Sequence, residues 1–328
     1  MLGHARSYTL PGVSMDVALV VAGLLLLFGG GEFLVRGAVS LAERFGLSKL
    51  IVGMVIVGFG TSTPELLVSL QAAMAGAPEI ALGNVIGSNI CNTLLILGMA
   101  AFIFPVATDG PGLKREAGVM TLVSFALLPL LFLPTLGALL GAGMLAVLTV
   151  YLVYSYRLER KAPQSAFEAE AAELETKALK TPWAALVTVV GLVALLIGAR
   201  LLVSGATGIA RDLGVSEAVI GLTVVAVGTS LPELATALVA AWRKHADVAL
   251  ANVIGSNIFN ILAILGATVL VEPISVAARF SRVDGPVMAG AALVTLLLLW
   301  RGRPLGRPVG VLFLAGYALY ISLQGVIR

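Results

Sequence analysis

Long apolar runs alternate with short polar segments along the whole chain of 328 residues. Apolar runs of about 18 residues or more are typical of transmembrane helices. The pattern predicts ten spans, at about residues 15–38, 48–75, 79–104, 116–134, 137–157, 182–204, 214–242, 246–271, 285–300 and 308–326. We therefore expect an all-α integral membrane protein that crosses the bilayer many times.

The composition supports this interpretation. Hydrophobic residues make up 59% of the chain and charged residues 12%, whereas soluble domains contain about 45–50% and 25%. The 37 glycines suit close packing of membrane helices. A net charge of +3, spread over short loops, gives no nucleic-acid-binding patch. The single cysteine, Cys91, excludes an intrachain disulfide and is interpreted as a small core residue.

One longer polar segment, residues 158–181, divides the chain into a first half, 1–157, and a second half, 182–328. We interpret this segment as a solvated linker in which a short helix is plausible. Ten spans place both termini on one side of the membrane, and most Lys and Arg residues then fall on the other side, with the linker. The positive-inside rule puts that side in the cytoplasm. We expect both termini to lie outside the cell membrane, which in a bacterium is the inner membrane.

The two halves are copies of one five-span unit. Glu233 minus Glu65 is 168, and Asn260 minus Asn92 is also 168. Because five is odd, the second copy enters the membrane from the opposite side. Such inverted repeats are typical of transporters, whose substrate sites lie near the midplane where the repeats meet.

Each copy places polar residues where lipid would penalise them. The segments Gly58–Leu66 and Ala226–Leu234 bring hydroxyls, a proline and a glutamate into long apolar runs. A carboxylate at membrane depth costs about 2.5–3.5 kcal/mol and indicates a functional site. Pro64 has no N–H to donate, so we expect unwound backbone around it, which membranes tolerate only beside protein or a wet cavity.

The next span in each copy carries a polar stripe. Ser88 and Asn92 are four residues apart and share a helix face, as do Ser256 and Asn260. For four further amides, liganding and interhelical hydrogen bonding both remain open: Asn84, Asn89, Asn252 and Asn257. All candidate ligand atoms are oxygens, which suit hard cations such as Ca²⁺. Two carboxylates would neutralise one Ca²⁺, or hold Na⁺ or protons on the return step, as an exchanger requires.

These motifs resemble those of the Ca²⁺/cation antiporter superfamily. The pattern G-T-S-x-P-E occurs at Gly60–Glu65 and Gly228–Glu233, and G-S-N-x-x-N occurs at Gly87–Asn92 and Gly255–Asn260. The likeness extends to the five-plus-five plan and the central linker, and is greatest to the compact prokaryotic Na⁺/Ca²⁺ exchangers.

The resemblance implies a secondary antiporter, not an enzyme, with Ca²⁺ and Na⁺ as transported ions, no cofactor and no obligatory protein partner. It implies four central binding positions, at Glu65, Glu233, Asn92 and Asn260. It also implies flanking Na⁺ sites formed by Thr61, Ser62, Ser88, Thr229, Ser230, Ser256 and the carbonyls of Gly58 and Ala226. The spans at 15–38 and 182–204 would slide to switch access.

The counter-ion stays open. Some relatives carry aspartate where this chain has Asn92 and Asn260, and fewer titratable groups favour Na⁺/Ca²⁺ exchange over H⁺/Ca²⁺ or K⁺-dependent Na⁺/Ca²⁺ exchange. A cation channel with the same site is disfavoured by the inverted repeat. An intramembrane hydrolase using Glu65 and Glu233 as acid and base is disfavoured because the sequence offers no nucleophile or zinc-ligand set.

One further pair of charges lies in the first span. Glu32 and Arg36 are four residues apart on one helix face, which predicts an ion pair near the helix end. A role of this pair in gating is the alternative.

Overall fold

The structure is a computed structural model that describes residues 11–45, 51–108, 112–159, 179–214, 226–243 and 245–324. Most of the predicted central linker lies outside the described residues. The first part of the predicted seventh span, residues 215–225, also lies outside them.

The first half is built almost entirely of helices, two of which contain wider π-helical turns. Its elements are α1 (Pro11–Phe45), π1 (Val52–Gly58), α2 (Phe59–Thr61), α3 (Thr63–Met74), α4 (Pro78–Ile90), π2 (Cys91–Ile96), α5 (Leu97–Ile103), α6 (Leu113–Leu130), the short strand β1 (Thr135–Leu136) and α7 (Ala138–Glu159).

The second half repeats the order of the helices over the residues that the structure describes, but its strand comes before the last two helices instead of between them. Its elements are α8 (Thr181–Asp212), α9 (Ala226–Thr229), α10 (Leu231–Trp242), α11 (Ala246–Phe259), π3 (Asn260–Leu265), α12 (Gly266–Val271), β2 (Ile274–Ser275), π4 (Phe280–Asp284), α13 (Gly285–Trp300) and α14 (Arg307–Gln324). Strands β1 and β2 pair antiparallel and so join a loop of one half to a loop of the other.

Several of these helices are long and apolar enough to cross a membrane. Within the described part of the chain six continuous helices meet that test, and a seventh crossing results if Val52–Thr61 and Thr63–Met74, which meet at a 44° bend, form one span. Shorter apolar helices cover Leu231–Trp242 and Arg307–Leu323. Helix covers most of each predicted span where it is described; the exceptions include residues 131–134, at the end of the fourth span, and the breaks at Ser62 and Ser230. The chain is therefore a helical, multi-pass membrane protein.

The break beside each glutamate is narrower than the unwound stretch that the prolines predict. In the first half the helix is interrupted at Ser62, where φ is −80° and ψ is 8°, and it resumes at Thr63. In the second half the interruption is at Ser230. Pro64 and Pro232 lie in the first turn of the new helix, where a missing N–H costs little. The backbone therefore bends instead of unwinding.

The core lies along two central segments. In the most apolar 18-residue stretch of the spans Pro78–Ile103 and Val248–Val271, 72% and 89% of the residues are buried. In the corresponding stretches of α1 and α8 only 28% of the residues are buried. These buried spans carry the predicted amide stripes. The candidate site therefore belongs to the most enclosed part of the molecule, and α1 and α8 lie at its edge.

Glycines let α1 and α8 pack with their backbones in close contact. A Cβ atom on Gly30 would lie 2.8 Å from the backbone nitrogen of Leu195, and one on Gly198 would lie 2.9 Å from that of Leu27. Residue 195 minus residue 27 is 168, so the two contacts are equivalent in the repeat. The seam therefore tolerates no side chain at these positions.

Candidate cation-binding site

Glu65 and Glu233 lie in the first turns of α3 and α10, directly after the two helix breaks. Each side chain is only 1% exposed. The N-terminal end of a helix carries partial positive charge, which favours a carboxylate at this position. The chain therefore bends at Ser62 and Ser230, and the helix that follows each bend carries a buried acidic group in its first turn.

The two carboxylates are held by hydroxyls that cross between the halves. Ser62 Oγ donates to Glu233 Oε1 over 3.0 Å, and Ser230 Oγ donates to Glu65 Oε1 over 3.2 Å. These crossed bonds bring the first copy's motif and the second copy's motif together into one site.

Asn92 and Asn260 approach from the two core spans, at the point where α-helix changes to π-helix. Both side chains are fully buried. Asn92 Nδ2 donates to Asn257 Oδ1 over 3.2 Å, and Asn260 Nδ2 donates to Asn89 Oδ1 over 2.9 Å. The amide N–H groups are thus engaged across the two halves, leaving the amide oxygens for another partner.

Four buried oxygens at this site have no hydrogen-bond partner in the described structure: Glu65 Oε2, Glu233 Oε2, Asn92 Oδ1 and Asn260 Oδ1. The fifth such atom is Ser155 Oγ, which lines a cavity beside π1 instead. An unsatisfied buried acceptor costs about 1–3 kcal/mol, and more when it is charged. Two carboxylate and two amide oxygens are the donor set that a hard cation takes.

Most of the predicted flanking oxygens lie around this set. Thr61 Oγ1 donates to the carbonyl of Val57 over 3.0 Å and approaches Asn252 Oδ1 at 3.4 Å. The Gly58 carbonyl accepts hydrogen bonds from the Ser256 hydroxyl and from the Ser62 backbone N–H. That carbonyl is therefore satisfied by protein groups.

The remaining predicted ligands are less closely defined. Ser88 is buried on α4, Thr229 is half-buried in α9, and Ala226 is the first residue of α9. Their roles as ion ligands stay predictions.

The structure assigns contacts to the four amides that the sequence left open. Asn84 Nδ2 donates to the Glu65 carbonyl over 3.1 Å and to Ser69 Oγ over 3.0 Å, and Asn252 Nδ2 donates to the Glu233 carbonyl over 3.4 Å. These two amides therefore bind the backbone of the helices that carry the glutamates. Asn89 and Asn257 bind the side chains of the predicted ligands instead.

The predicted ion pair of Glu32 and Arg36 is wrong. Glu32 instead forms a bidentate pair with Arg243, which follows α10, and the Nε–Oε2 distance is 2.7 Å. A planar guanidinium at the end of a neighbouring helix offers the carboxylate two parallel bonds. The four-residue rule considers one helix and misses such a partner.

Comparison with known proteins supports the family resemblance that the sequence motifs indicate. The sequence profile described as "Sodium/calcium exchanger protein" matches residues 15–157 and 183–326. The chain is 36% identical to the inner membrane protein YrbG of Escherichia coli, covering 94% of this chain and 96% of YrbG. It is 31% identical to the sodium/calcium exchanger MaX1 of Methanosarcina acetivorans, covering 94% and 98%.

A solved structure agrees. The sodium-calcium exchanger NCX_Mj, soaked with Na⁺ and Sr²⁺, superposes with a TM-score of 0.82 at 32% identity, covering 94% of this chain and 98% of that one. The match spans both halves and therefore both copies of the motif. The chain belongs to the sodium/calcium exchanger family.

Proposed function

We propose that the protein is a secondary active antiporter that exchanges Ca²⁺ for Na⁺ across the cell membrane by alternating access. The observation that carries this proposal is the set of four buried, unpartnered oxygens contributed equally by the two halves. Membership of the sodium/calcium exchanger family and the similarity to the sodium/calcium exchanger MaX1 support the same pair of ions.

Glu65 and Glu233 would supply the charge of the Ca²⁺ site. Two carboxylates balance one divalent cation, while the oxygens of Asn92 and Asn260 add ligands without adding charge. Ca²⁺ takes about 6–8 oxygens at about 2.3–2.6 Å, so nearby hydroxyls and water would complete its shell. Without a cation the two buried charges would repel each other and carry their full desolvation cost.

Na⁺ would compete for the same carboxylates. Binding of Na⁺ on either side of the centre would use oxygens from both halves, namely the hydroxyls of Thr61, Ser62, Ser88, Thr229, Ser230 and Ser256 and the Ala226 carbonyl. The Gly58 carbonyl would join them by giving up its hydrogen bond from Ser256. Because Glu65 and Glu233 serve both ions, bound Na⁺ excludes Ca²⁺. Exchange follows if the carboxylates must be neutralised before the access change, since moving them uncompensated past lipid is costly.

The proposed architecture has ten transmembrane helices in two inverted halves, 1–157 and 182–328, with the site near the midplane. The equivalent glycine contacts of α1 and α8 support a twofold relation between the halves. Both termini would face outward and the linker at 158–181 would be cytoplasmic, as the distribution of Lys and Arg indicates. Helices α1 and α8, at the edge of the core, would move to open the site to either side.

The test is ⁴⁵Ca²⁺ uptake into proteoliposomes under an outward gradient of Na⁺, H⁺ or K⁺, each applied separately, under Na⁺ and K⁺ gradients together, and under no gradient. We expect uptake with the Na⁺ gradient alone. Uptake that H⁺ drives without Na⁺ would overturn the counter-ion assignment, and a requirement for K⁺ together with Na⁺ would amend it. Flux that is independent of any gradient and does not saturate would replace the exchanger by a channel.

A further inference from the structure

Two amides beside the site, Asn89 and Asn257, contact the predicted ligands in a crossed pattern. Asn257 Oδ1 accepts from Asn92 of the other half, and Asn89 Oδ1 accepts from Asn260. Residue 257 minus residue 89 is 168, so the two bonds are copies of one interaction. Both amides are almost fully buried, so water does not replace these contacts.

The orientation of each amide is fixed by its own N–H groups. Asn257 Nδ2 donates to Thr93 Oγ1 over 2.8 Å. Asn89 Nδ2 donates to the backbone carbonyl of Asn257 over 3.2 Å. Rotating either amide by half a turn would place an N–H group against the N–H group of Asn92 or Asn260. The oxygens of Asn89 and Asn257 are therefore held toward the ligand residues.

The fixed orientation of these two amides affects the cation site because an amide group is planar. An asparagine whose nitrogen is bound on one side must direct its oxygen to the other side. For Asn92 and Asn260 that oxygen is the unpartnered, buried Oδ1. Each ligand oxygen is thus aimed by a residue of the opposite half of the chain.

We propose that Asn89 and Asn257 are positioning residues for ion binding, which orient the oxygens of Asn260 and Asn92 respectively. The proposal rests on the proposed function, because it assumes that these oxygens bind the transported cation. Groups that orient metal ligands typically change affinity by about 10–100-fold when removed. Since each amide acts on one ligand only, the effect is specific to a pair.

The experiment measures the KM for Ca²⁺ and the maximal rate of ⁴⁵Ca²⁺ uptake in proteoliposomes. Asn257→Leu and Asn89→Leu keep the approximate side-chain volume and remove the acceptor. We expect each to raise the KM by about tenfold or more, with the maximal rate per folded transporter little changed. Asn257→Ala and Asn89→Ala provide smaller replacements, and size-exclusion chromatography checks folding.

Double variants then test the crossed pattern. In an Asn92→Ala background, Asn257→Leu should add no more than about a twofold change, because its target is gone, whereas Asn89→Leu should keep its full effect. In an Asn260→Ala background the roles reverse. Additive effects in every combination, unchanged KM values with reduced maximal rates, or failure of all four single variants to fold would overturn positioning and leave a packing role.

The same assay separates this proposal from the proposed function. If the unaltered protein takes up Ca²⁺ under a Na⁺ gradient and Glu65→Gln abolishes uptake, a flat response to Asn89→Leu and Asn257→Leu overturns only the positioning proposal. If the unaltered protein takes up no Ca²⁺ under any gradient, the proposed function fails and the positioning proposal falls with it.

Discussion

The two halves of the chain agree at the buried oxygens and diverge toward the helix ends. At the centre, each half contributes one glutamate and one asparagine with an unpartnered oxygen. Toward the ends, Glu32 pairs with Arg243, but the equivalent positions carry Arg200 and Ala75, which cannot form that pair. The centre is therefore symmetric and the margins are not.

Two buried acids outside the site occupy equivalent positions in the two halves but differ in their binding partners. Glu116 is bound by Tyr151 and Arg115, and Asp284 occupies the position 168 residues later. Asp284 is bound by Tyr320 and Arg279. The carboxylate is kept but its partners come from different positions. Structural anchoring thus tolerates substitution of the partners, whereas the proposed ion site keeps every oxygen.

This contrast has a physical reason. In the proposed inverted repeat the central residues of both halves would face one shared ion, so each would have to supply the same chemistry. The helix ends of the two halves would meet opposite membrane surfaces, where equivalent positions have different neighbours. Variants made in pairs, one in each half, test whether the symmetry is functional.

The largest expected effect is at the glutamates. Glu65→Gln and Glu233→Gln should each abolish Na⁺-driven ⁴⁵Ca²⁺ uptake, because one remaining carboxylate cannot balance a divalent cation. Glu79→Gln, which alters an exposed glutamate at the start of α4, is the matched control and should leave uptake within about twofold of the unaltered protein. Substantial uptake by either site variant would contradict the prediction that both carboxylates are required.

The crossed serines should give the next largest effect. Ser62→Ala and Ser230→Ala each remove a hydrogen bond to a buried carboxylate of the other half. Bonds to charged groups contribute about 1.5–3 kcal/mol, so the KM for Ca²⁺ should rise by about tenfold or more in each variant. Ser322→Ala serves as control, since its hydroxyl bonds within its own exposed helix turn. Effects confined to one serine would contradict a symmetric site.

The glycine seam should respond through stability. Gly30→Ala and Gly198→Ala would each force a methyl group within 2.9 Å of backbone atoms of the facing helix. Overpacking of this kind costs about 1–3 kcal/mol, and the melting temperature in detergent should fall in both variants.

The neighbouring Gly29 provides an internal control for that experiment. No atom lies within 4 Å of a Cβ built on it, so Gly29→Ala should be neutral or stabilising by about 0.5–1 kcal/mol. If Gly29→Ala and Gly30→Ala behave alike, the close approach of α1 and α8 is wrong.

The smallest effect is expected at the asymmetric ion pair. The side chains of Arg243 and Glu32 are 53% and 22% exposed, and such pairs contribute about 0–1 kcal/mol. Glu32→Gln should therefore lower the melting temperature only slightly, and the charge exchange Glu32→Arg with Arg243→Glu should restore it. Arg200→Gln, at the equivalent position of the second half, should not reproduce the change. A large fall in the melting temperature of Glu32→Gln would mean that the ion pair contributes more than an exposed pair does.

Much of the fold and the acidic centre could be predicted from the sequence. Apolar runs report helices directly, and Glu65 and Glu233 stand out because lipid penalises them. The repeat offset identifies Asn92 and Asn260 as equivalent residues. It does not report that Asn92 contacts Asn257, since equivalence in a repeat carries no information on proximity.

The parts that could not be predicted depend on contacts between distant segments. The π-helical turns that start near Asn92 and Asn260 have no sequence signal comparable to a proline or glycine. The partner of Glu32 lies 211 residues away, beyond any local rule. The proline predicts a wider break at Ser62 than the structure has, because Pro64 lies in the first turn of a new helix, where its missing N–H disturbs little.

The central claim is that four named oxygens bind the transported cation. It is tested most directly by anomalous diffraction from crystals soaked in Sr²⁺, used as a heavier substitute for Ca²⁺. The account predicts one strong peak among Glu65 Oε2, Glu233 Oε2, Asn92 Oδ1 and Asn260 Oδ1, and its loss when Na⁺ replaces Sr²⁺. A peak elsewhere in the protein, or one at this position that survives Glu65→Gln combined with Glu233→Gln, would contradict the account.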